Sequence, residues 1–340
     1  MKKIRVGVIG CGRISAVYKE AFLKIPGIQV VYAVDKELER ARNFASPFHC
    51  GFSDRLEDLL CRDLDAIHVL TPHFLHKEHV IACLRAGFHV LTEKPIAIYP
   101  TDADDMIRAA KESGRQLGVV FQNRYIEGVR EARRLIREGA FGKLTGAWST
   151  LHWWRPLSYY ECDWKGSWEK EGGGVVIDQA IHSLDLVRYL CGAQSASVQA
   201  YIGRRVLTNI GVEDVADAAI VFDNGMTYSF FATNYYVENS PIQIEIKGEK
   251  GTFHLTDTSA TITLDNQAPY TIDSSRDAQN PGQSYWGRHH AVQIAEFYDC
   301  LLNGRPVPVD PGDAKATLSL VQGIYRSAKE NKKVEVDLRW

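Results

Sequence analysis

Apolar positions in the first third of the chain fall into short strand-like runs separated by longer helix-like patterns. The runs Ile4–Ile9 and Ile28–Val34 are β-branched and apolar almost throughout, as expected of strands buried on both faces. Further strands are predicted at 66–70, 88–91 and 116–121, and helices at 14–24, 37–45, 76–86 and 101–113. Thr101 and Asp104 resemble the N-cap and capping box of the last of these helices. This alternation indicates βαβ units and a parallel sheet.

The pattern changes after residue 121. A helix at 128–138 and a strand at 143–152 lead into an aromatic-rich loop, Trp153–Trp168, and three glycines at 172–174 open a long helix that reaches Leu190. The later predicted strands are 197–203, 215–222, 226–235, 242–247, 251–256, 260–264 and 334–336, and the later helices are 290–302 and 312–330. We therefore predict an α/β protein with an N-terminal Rossmann domain, 1–121, and a C-terminal α+β domain with a largely antiparallel open sheet, 122–340.

Composition narrows the class of protein. The 340 residues are 45% apolar and 24% charged, which is the ordinary balance of a folded globular protein. The formal charge of −2 argues against attraction to nucleic acid or to an anionic membrane surface. No apolar stretch approaches the roughly 18 residues that span a bilayer. The seven cysteines include no Cys-x-x-Cys pair, so a reducing, cytoplasmic compartment is expected.

A glycine-rich turn follows the first predicted strand. Gly10-x-Gly12-x-x-Ser15 opens the first helix, where backbone amides and the helix dipole can hold a pyrophosphate. Asp35 ends the next strand, where a carboxylate binds the ribose hydroxyls of NAD and repels the 2′-phosphate of NADP. A tight turn without a ligand is the structural alternative. The combined pattern predicts NAD as cofactor, with NADP less favoured.

Two further groups of residues carry the predicted chemistry. Glu93-Lys94-Pro95 follows a buried strand at its carboxyl end, and Asp178 precedes His182 by four residues in a predicted helix. Asp185 would extend the same helical stripe. His182 suits the base that takes a hydroxyl proton, Lys94 can donate a hydrogen bond to the same oxygen, and Asp178 can bind a neighbouring hydroxyl or hold the imidazole. A solvated lysine and a surface Asp–His pair are the structural alternatives.

These motifs resemble the Gfo/Idh/MocA oxidoreductases, the family of glucose-fructose oxidoreductase and inositol dehydrogenase. The resemblance covers essentially the whole chain. It is carried by Val8-Ile9-Gly10-Cys11-Gly12, Thr71-Pro72, Glu93-Lys94-Pro95 and the segment 172–185. It implies hydride transfer between NAD and a secondary hydroxyl of a sugar, sugar derivative or inositol, with Lys94, Asp178 and His182 as catalytic residues. The segment 164–182 is also similar to sugar 3-dehydrogenases, although Asp178 is closer to the inositol dehydrogenase pattern.

The full candidate site contains cofactor-binding and substrate-binding residues. The predicted cofactor-binding residues are Gly10, Gly12, Arg13, Ile14, Asp35, Thr71, Pro72, His76, Glu93 and Lys94. The predicted substrate-binding residues are Gln122, Arg124, Tyr125, Trp153, Arg155, Tyr160, Trp168, Asp178 and His182. The aromatic members can pack against a sugar ring, with core or subunit packing as the alternative. No metal is predicted, because the Asp–His pair lacks a clear third ligand.

Two other functions remain compatible with the sequence. One is a glycosidase in which NAD oxidises the sugar transiently before elimination, and the other is a non-catalytic NAD-responsive regulator. The first would release no net NADH, whereas Lys94, Asp178 and His182 together argue against the second. A homodimer or homotetramer is expected, since an open sheet invites face-to-face pairing.

Overall fold

The computed structural model describes residues 3–274 and 289–339. The chain folds into two units. The first is made of residues 1–120 and 290–315, and the second of residues 121–289 and 316–340.

The first unit is built on six strands. In chain order they are β1 (Ile4–Ile9), β2 (Ile28–Val34), β3 (Gly51–Ser53), β4 (Ala66–Val69), β5 (His89–Thr92) and β6 (Leu117–Val119). The order across the sheet is β3-β2-β1-β4-β5-β6, and all neighbours are parallel. This is the strand order of a doubly wound dinucleotide-binding fold, so the predicted parallel α/β class is confirmed.

The second unit contains a nine-stranded sheet. Its strands are β7 (Leu144–His152), β8 (Ser195–Gly203), β9 (Val215–Phe222), β10 (Thr227–Thr233), β11 (Gln243–Gly248), β12 (Gly251–Thr256), β13 (Ser259–Leu264), β14 (Tyr270–Asp273) and β15 (Val334–Asp337). The order is β14-β13-β12-β11-β7-β10-β9-β8-β15. Among the described strands β7 and β10 pair parallel, and the other neighbours pair antiparallel. The predicted, largely antiparallel sheet is confirmed.

Helices contact strands of both sheets. In chain order the α-helices are α1 (Ser15–Lys24), α2 (Leu38–Ala45), α3 (Leu56–Leu60), α4 (His76–Arg85), α5 (Pro100–Ser113), α6 (Glu127–Arg137), α7 (Ile181–Cys191), α8 (His290–Leu302) and α9 (Pro311–Glu330). Within the described ranges, none of the helices is both long and apolar enough to cross a membrane.

The sequence placed the domain boundary differently. Residues 290–315 belong to the first unit, although the sequence pattern assigned all of 122–340 to the second. The reason is the apolar face of α8, where Ile294, Phe297 and Tyr298 enter the same core as Tyr18 and Phe22 of α1. Hydrophobic periodicity shows that α8 has a buried face, but not which sheet that face covers.

Alternating burial explains how the second sheet can have one covered and one open face. In β9, Ala218, Ile220 and Phe222 are buried, whereas Asp217 and Val221 are exposed. On the buried side helices approach closely. A Cβ on Gly128 of α6 would lie 2.2 Å from the Cβ of Ala260 in β13.

Three local predictions need correction. Helix α5 begins at Pro100 with Tyr99 as its N-cap, so Thr101 lies inside the helix; proline is favoured at this first position because its missing N–H is not needed there. The helix expected from 172 begins with a π-helical turn, Val176–Ala180, before α7. The short strands β3 and β14 were not predicted, because three or four residues give too little periodicity.

Candidate active site

The turn between β1 and α1 has the geometry of a cofactor cradle. Gly10 has φ +90°, and a Cβ there would lie 2.8 Å from the carbonyl carbon of Leu70. A Cβ on Gly12 would meet no other described atom within 4 Å, so the space above this residue is open. Ser15 donates its hydroxyl to the Gly12 carbonyl, 2.7 Å away. Ile14 gives α1 no side-chain cap, which leaves the first amides of the helix suited to a pyrophosphate.

Asp35 lies beside this turn, at the end of β2. One carboxylate oxygen accepts the backbone N–H of Cys11 at 2.7 Å, and the other accepts that of Glu37 at 2.9 Å. Each carboxylate oxygen has a second lone pair, so Asp35 can also accept ribose hydroxyls. Arg13 is exposed at the turn. Asp35 and the glycine turn are therefore brought together as the sequence predicted, and they fit NAD.

His76 joins two loops at the carboxyl ends of β4 and β5. Its Nδ1 lies 2.8 Å from the carbonyl oxygen of Pro95, and its Nε2 lies 2.8 Å from that of Thr71, which Pro72 follows. The Thr71 hydroxyl also contacts Nδ1 of His79 at 3.1 Å. Burial lowers the pKa of His76, with the two carbonyl contacts acting in the opposite direction. The ring fixes the loop that carries Lys94 relative to the loop of Thr71.

Glu93 faces the interior of the first unit. One carboxylate oxygen accepts the hydroxyl of Tyr18 at 2.7 Å and lies 3.3 Å from Nε2 of His290, while the other accepts the backbone N–H of Lys94 at 3.2 Å. Burial would raise the pKa of Glu93, but His290, Tyr18 and Lys94 lower it to about 2. Glu93 thus anchors the half-buried Lys94 from behind, a role that the sequence did not distinguish from direct cofactor contact.

Asp178 lies in a dense polar cluster of the second unit. Its Oδ2 accepts the hydroxyl of Tyr159 at 2.6 Å, the side-chain N–H of Gln179 at 2.6 Å and the ammonium of Lys165. The Lys165 ammonium also lies 3.0 Å from Oε1 of Glu171. All five side chains are buried or nearly so. The carboxylate is therefore held in one position by three donors.

The charges in this cluster depend on each other. Burial alone would lower the pKa of Lys165, but Asp178, Tyr159 and Glu171 together raise it well above its ordinary value. Burial raises the pKa of Glu171 to about 8, with Lys165 acting against the shift. The ammonium thus stays charged, and it stabilises the nearby carboxylate of Asp178 as an acceptor.

His182 lies in the first turn of α7, directly after the π-helical turn that carries Asp178. It is buried, and its ring meets the edge of Phe121 with the ring centroids 6.0 Å apart. A π-helical turn contains an extra residue, so the regular i, i+4 stripe assumed from the sequence does not apply between 178 and 182.

Asp185 does not share this environment. Its carboxylate pairs with the guanidinium of Arg124, with Nε 2.7 Å from Oδ2, and it accepts the hydroxyl of Thr317 at 2.7 Å. Arg124 also lies over the ring of Tyr189, 4.4 Å from its centroid. The predicted extension of the stripe to Asp185 is wrong. Arg124 lies in a buried ion pair with Asp185, and its binding of substrate stays a prediction.

The neighbours of Arg124 differ in how their polar atoms are used. Tyr125 is buried and packs under the guanidinium of Arg130, 4.6 Å from its ring centroid. Gln122 is buried as well, yet its Oε1 accepts no hydrogen bond from any described residue. The two neighbours therefore differ, since no described residue uses the side-chain oxygen of Gln122, whereas the ring of Tyr125 packs against Arg130.

The start of the aromatic loop packs inside the second unit. Trp153 is 4% exposed and donates its indole N–H to the carbonyl of Ser240 at 3.1 Å. Arg155 lies over the Trp153 ring, 4.7 Å from its centroid, and donates to Oδ1 of Asn239 at 2.9 Å. The structural alternative of core packing applies to Trp153.

The later part of the loop is more open. Tyr160 accepts the side-chain N–H of Asn234 at 3.2 Å, and Asn234 in turn donates to Gln179 at 2.9 Å, which links this residue to the Asp178 cluster. Trp168 is 39% exposed and meets the ring of Tyr325 edge-on at 4.9 Å.

The sequence analysis missed the residues that surround Asp178. They are Tyr159, Lys165, Glu171, Gln179 and Asn234. Lys165 carries no motif that could have identified it, and the contact of its ammonium with the Trp164 ring, 4.2 Å from the centroid, is visible only in the structure. In the described ranges, no group of three or more His, Cys, Asp or Glu side chains is placed to hold a metal ion.

The strand order and the glycine turn beside Asp35 define an NAD-binding oxidoreductase, and comparison with known proteins agrees. Residues 4–121 match the oxidoreductase family with an NAD-binding Rossmann fold, and residues 129–254 match the GFO/IDH/MocA C-terminal domain. The chain belongs to the Gfo/Idh/MocA family of oxidoreductases. The predicted family, enzyme class and NAD cofactor are confirmed.

Relatives share this arrangement over much or all of their length. The chain is 30% identical to 1,5-anhydro-D-fructose reductase of Ensifer adhaerens over 73% of this chain and 74% of that protein. It is 26% identical to myo-inositol 2-dehydrogenase of Thermotoga maritima, over 98% and 99%. A match of 32% identity to 1-carboxy-3-chloro-3,4-dihydroxycyclohexa-1,5-diene dehydrogenase of Comamonas testosteroni covers 67% of this chain and 58% of that protein.

A solved structure covers the whole chain. The WlbA dehydrogenase of Bordetella pertussis, crystallised with NADH and UDP-GlcNAcA, is 29% identical, with a TM-score of 0.85 over 100% of both chains.

Proposed function

We propose that the protein transfers a hydride between NAD and a secondary hydroxyl of a sugar, sugar derivative or cyclitol. The observation that carries this proposal is the carboxylate of Asp178, held by Lys165 and Tyr159 in the segment that leads into His182. A fixed carboxylate followed by an imidazole provides two acceptors for the hydroxyls of a polyol. The relatives that act on anhydrofructose and myo-inositol support the same substrate class.

The three catalytic residues would divide the work by their chemistry. NAD, when bound, exchanges the hydride with the substrate carbon. His182 takes the hydroxyl proton, because an imidazole is the side chain whose ordinary pKa best suits a general base near neutral pH. Lys94 donates a hydrogen bond to the same oxygen as negative charge develops there. Asp178 accepts a hydrogen bond from a neighbouring hydroxyl and so orients the ring.

The cofactor residues would act from the carboxyl end of the first sheet. The amides of Gly12, Arg13 and Ile14 suit the pyrophosphate, and Asp35 suits the adenosine ribose. Gly10 allows the turn itself, and Thr71, Pro72 and His76 shape the loop next to Lys94. Glu93 contributes by anchoring Lys94. We propose NAD in preference to NADP, because Asp35 would repel a 2′-phosphate.

The residues that contact substrate would be those of the predicted substrate-binding residues that have an exposed side chain or a polar atom available to a ligand. Gln122 offers a buried acceptor, and Trp168 offers an exposed aromatic face. Tyr160 joins the hydrogen-bonded network of Asp178 through Asn234 and Gln179. Of the other predicted residues, Arg155 packs over the ring of Trp153, Tyr125 packs under the guanidinium of Arg130, and Arg124 pairs with Asp185.

We propose a cytoplasmic homodimer or homotetramer. The open face of the second sheet carries Trp148, His254 and Phe231, which mix apolar and polar surface as interfaces between subunits do. All seven cysteines are free thiols, which agrees with a reducing compartment. Light scattering after gel filtration should give twice or four times the mass of one chain, and a monomer at micromolar concentration would contradict the oligomer.

The proposed reaction is tested by incubating the protein with NAD and a panel of sugars, anhydrosugars, inositols and glycosides. Oxidation should raise the near-ultraviolet absorbance of NADH with at least one cyclic polyol. Cleavage of a glycoside without net NADH would instead identify transient oxidation followed by elimination.

A further inference from the structure

A buried pair of side chains, Glu213 and Tyr325, has no part in the proposed chemistry. Both lie at the start of the helical segment that carries Asp178 and His182. The first hydrogen bond inside this segment runs from the Asp178 N–H to the Gly174 carbonyl, 3.1 Å away. The amides of residues 174–177 therefore have no partner within the helix, as at every helix start.

Glu213 and Tyr325 accept hydrogen bonds from all four of these amides. Glu213 takes three of them, two with its carboxylate and one with its own backbone carbonyl, and the hydroxyl of Tyr325 takes the fourth. The Glu213 carboxylate lies 2.8 Å from the backbone N of Gly174 and 3.1 Å from that of Val176. The Glu213 carbonyl lies 3.2 Å from the backbone N of Val175. The Tyr325 hydroxyl lies 3.2 Å from the backbone N of Ile177. The Tyr325 hydroxyl also donates to the Glu213 carboxylate at 2.9 Å.

Two of the three glycines, Gly173 and Gly174, are explained by this pair. A Cβ on Gly174 would lie 1.9 Å from the Glu213 carbonyl oxygen. Gly173 has φ +142°, and a Cβ there would lie 2.0 Å from the Tyr325 hydroxyl. Only residues without a side chain allow the backbone to come this close to both partners.

The chemistry of the pair requires an acceptor at Glu213. The side-chain carboxylate is 2% exposed and faces three donors, namely two backbone amides and the hydroxyl of Tyr325. An ionised carboxylate satisfies all three and also suits the positive end of the helix dipole. A side-chain amide at this position would place its own N–H groups against the backbone N–H groups that the carboxylate accepts.

We propose that Glu213 and Tyr325 are positioning residues for the reaction, because they fix the first turn of the segment and with it the placement of Asp178 and His182. The inference rests on the proposed function of those two residues. A loose first turn would let both side chains move by a fraction of an ångström or more, and misplacement of about 1 Å can cost about a hundredfold in rate.

Tyr325→Phe tests the role with little change in volume. Tyr228→Phe is the matched control, since Tyr228 is buried in the same unit. Its hydroxyl lies 2.6 Å from the hydroxyl of Ser149, which belongs to β7. We expect kcat to fall at least about tenfold in Tyr325→Phe, with the Kd for NADH unchanged and kcat retained in Tyr228→Phe. If Tyr325→Phe retained its kcat as Tyr228→Phe is expected to do, the positioning role would be overturned.

Hydrogen exchange of the peptide spanning 174–178 gives a readout that does not require turnover. These amides should be protected in the unmodified protein and in Tyr228→Phe, and should exchange faster in Tyr325→Phe and Glu213→Gln. Rapid exchange in the unmodified protein would overturn the capping, and Tyr325→Phe decides the matter if Glu213→Gln does not fold. Protected amides in a protein that oxidises no polyol would contradict the proposed function instead.

Discussion

Two carboxyl groups and one ammonium meet in the interior of the second unit. Lys165 contacts both Asp178 and Glu171, and Tyr159 and Gln179 supply further donors to Asp178. A buried ion pair gains stability only when most of its polar atoms are satisfied, as they are here. The arrangement fixes Asp178 as an acceptor of hydrogen bonds, and in the proposed reaction His182 takes the proton.

Replacing Lys165 with an uncharged residue should show how far the stability of the protein depends on the buried ammonium. Lys165→Met should lower the free energy of unfolding by about 3 kcal/mol or more, the scale of a broken buried pair. Lys165 acts against the burial that raises the pKa of Glu171 to about 8, so without the cation this pKa should rise further. A raised folded-state pKa costs stability as the pH rises, so the loss should be larger near about pH 8 than near about pH 5, where Glu171 is protonated in both proteins.

Thermal unfolding at the two pH values measures this effect. Lys247→Met, at an exposed position in β11, is the control and should change stability little at either pH. A pH-independent loss in Lys165→Met would mean that the methylene chain of Lys165 matters more than its charge.

The catalytic assignments predict a specific kinetic pattern. Lys94→Ala and His182→Ala should each lower kcat by about a hundredfold or more, the scale of lost acid–base catalysis. The Kd for NADH should change little, because the cofactor's phosphates and ribose are held by the glycine turn and Asp35. Steady-state kinetics and fluorescence titration provide the two measurements, and near-normal kcat in both variants would reject the assignment.

We expect Asp35 to govern the choice between NAD and NADP. The unmodified protein should bind NADH more tightly than NADPH, and Asp35→Ala should narrow the difference by removing both an acceptor and a repulsive charge. Because Asp35 also accepts the N–H groups of Cys11 and Glu37, the variant should lose some thermal stability as well. Equal dissociation constants in the unmodified protein would be incompatible with this role.

At the scale of elements, the turn between β1 and α1 contains two glycines with different tasks. Gly10 adopts a positive φ against the backbone of Leu70, so its task is to let the turn form. Gly12 faces open space, and in the proposed function it leaves room for the cofactor. The same residue type would thus serve the fold at one position and the cofactor at the other.

Alanine at each position should separate these tasks. Gly10→Ala should destabilise the protein by about 1–3 kcal/mol or more, since the strain of a positive φ is joined by a clash. Gly12→Ala should keep its melting temperature but weaken NADH binding by about tenfold, which corresponds to about 1.4 kcal/mol. A stable Gly10→Ala variant, or normal NADH affinity in Gly12→Ala, would count against the assigned tasks.

Elements with strong periodicity were predictable from the sequence, and irregular ones were not. β1 and β2 match their predicted bounds because a continuous apolar run has few other solutions. The π-helical turn Val176–Ala180 left no comparable signal, since its extra residue depends on how the preceding chain is held by Glu213 and Tyr325.

The candidate site was predictable where its residues belong to motifs and not elsewhere. Motif spacing predicted Gly12, Asp35, Lys94, Asp178 and His182 as site residues. Lys165, by contrast, is 13 residues from Asp178 along the chain and carries no motif of its own. Contacts of this kind follow from the fold of the loop, which periodicity does not describe.

At the scale of the whole molecule, the chain leaves the first unit after residue 120 and returns to it at 290–315. The returning segment brings His290 to Glu93, which anchors Lys94. The glycine turn, Lys94 and their support therefore depend on residues that are far apart in sequence. Because Ile294, Phe297 and Tyr298 of this segment complete the apolar core of the first unit, that unit should not fold from residues 1–120 alone.

The central claim is that hydride moves between a substrate carbon and NAD. The most direct measurement uses a cyclic polyol that carries deuterium on its ring carbons, incubated with NAD and the protein, followed by mass spectrometry of the nicotinamide product. We predict NADH that contains one deuterium atom and accumulates with time, and a much slower gain with His182→Ala. Reduced cofactor without deuterium, or no reduced cofactor with any polyol of the panel, would contradict the account.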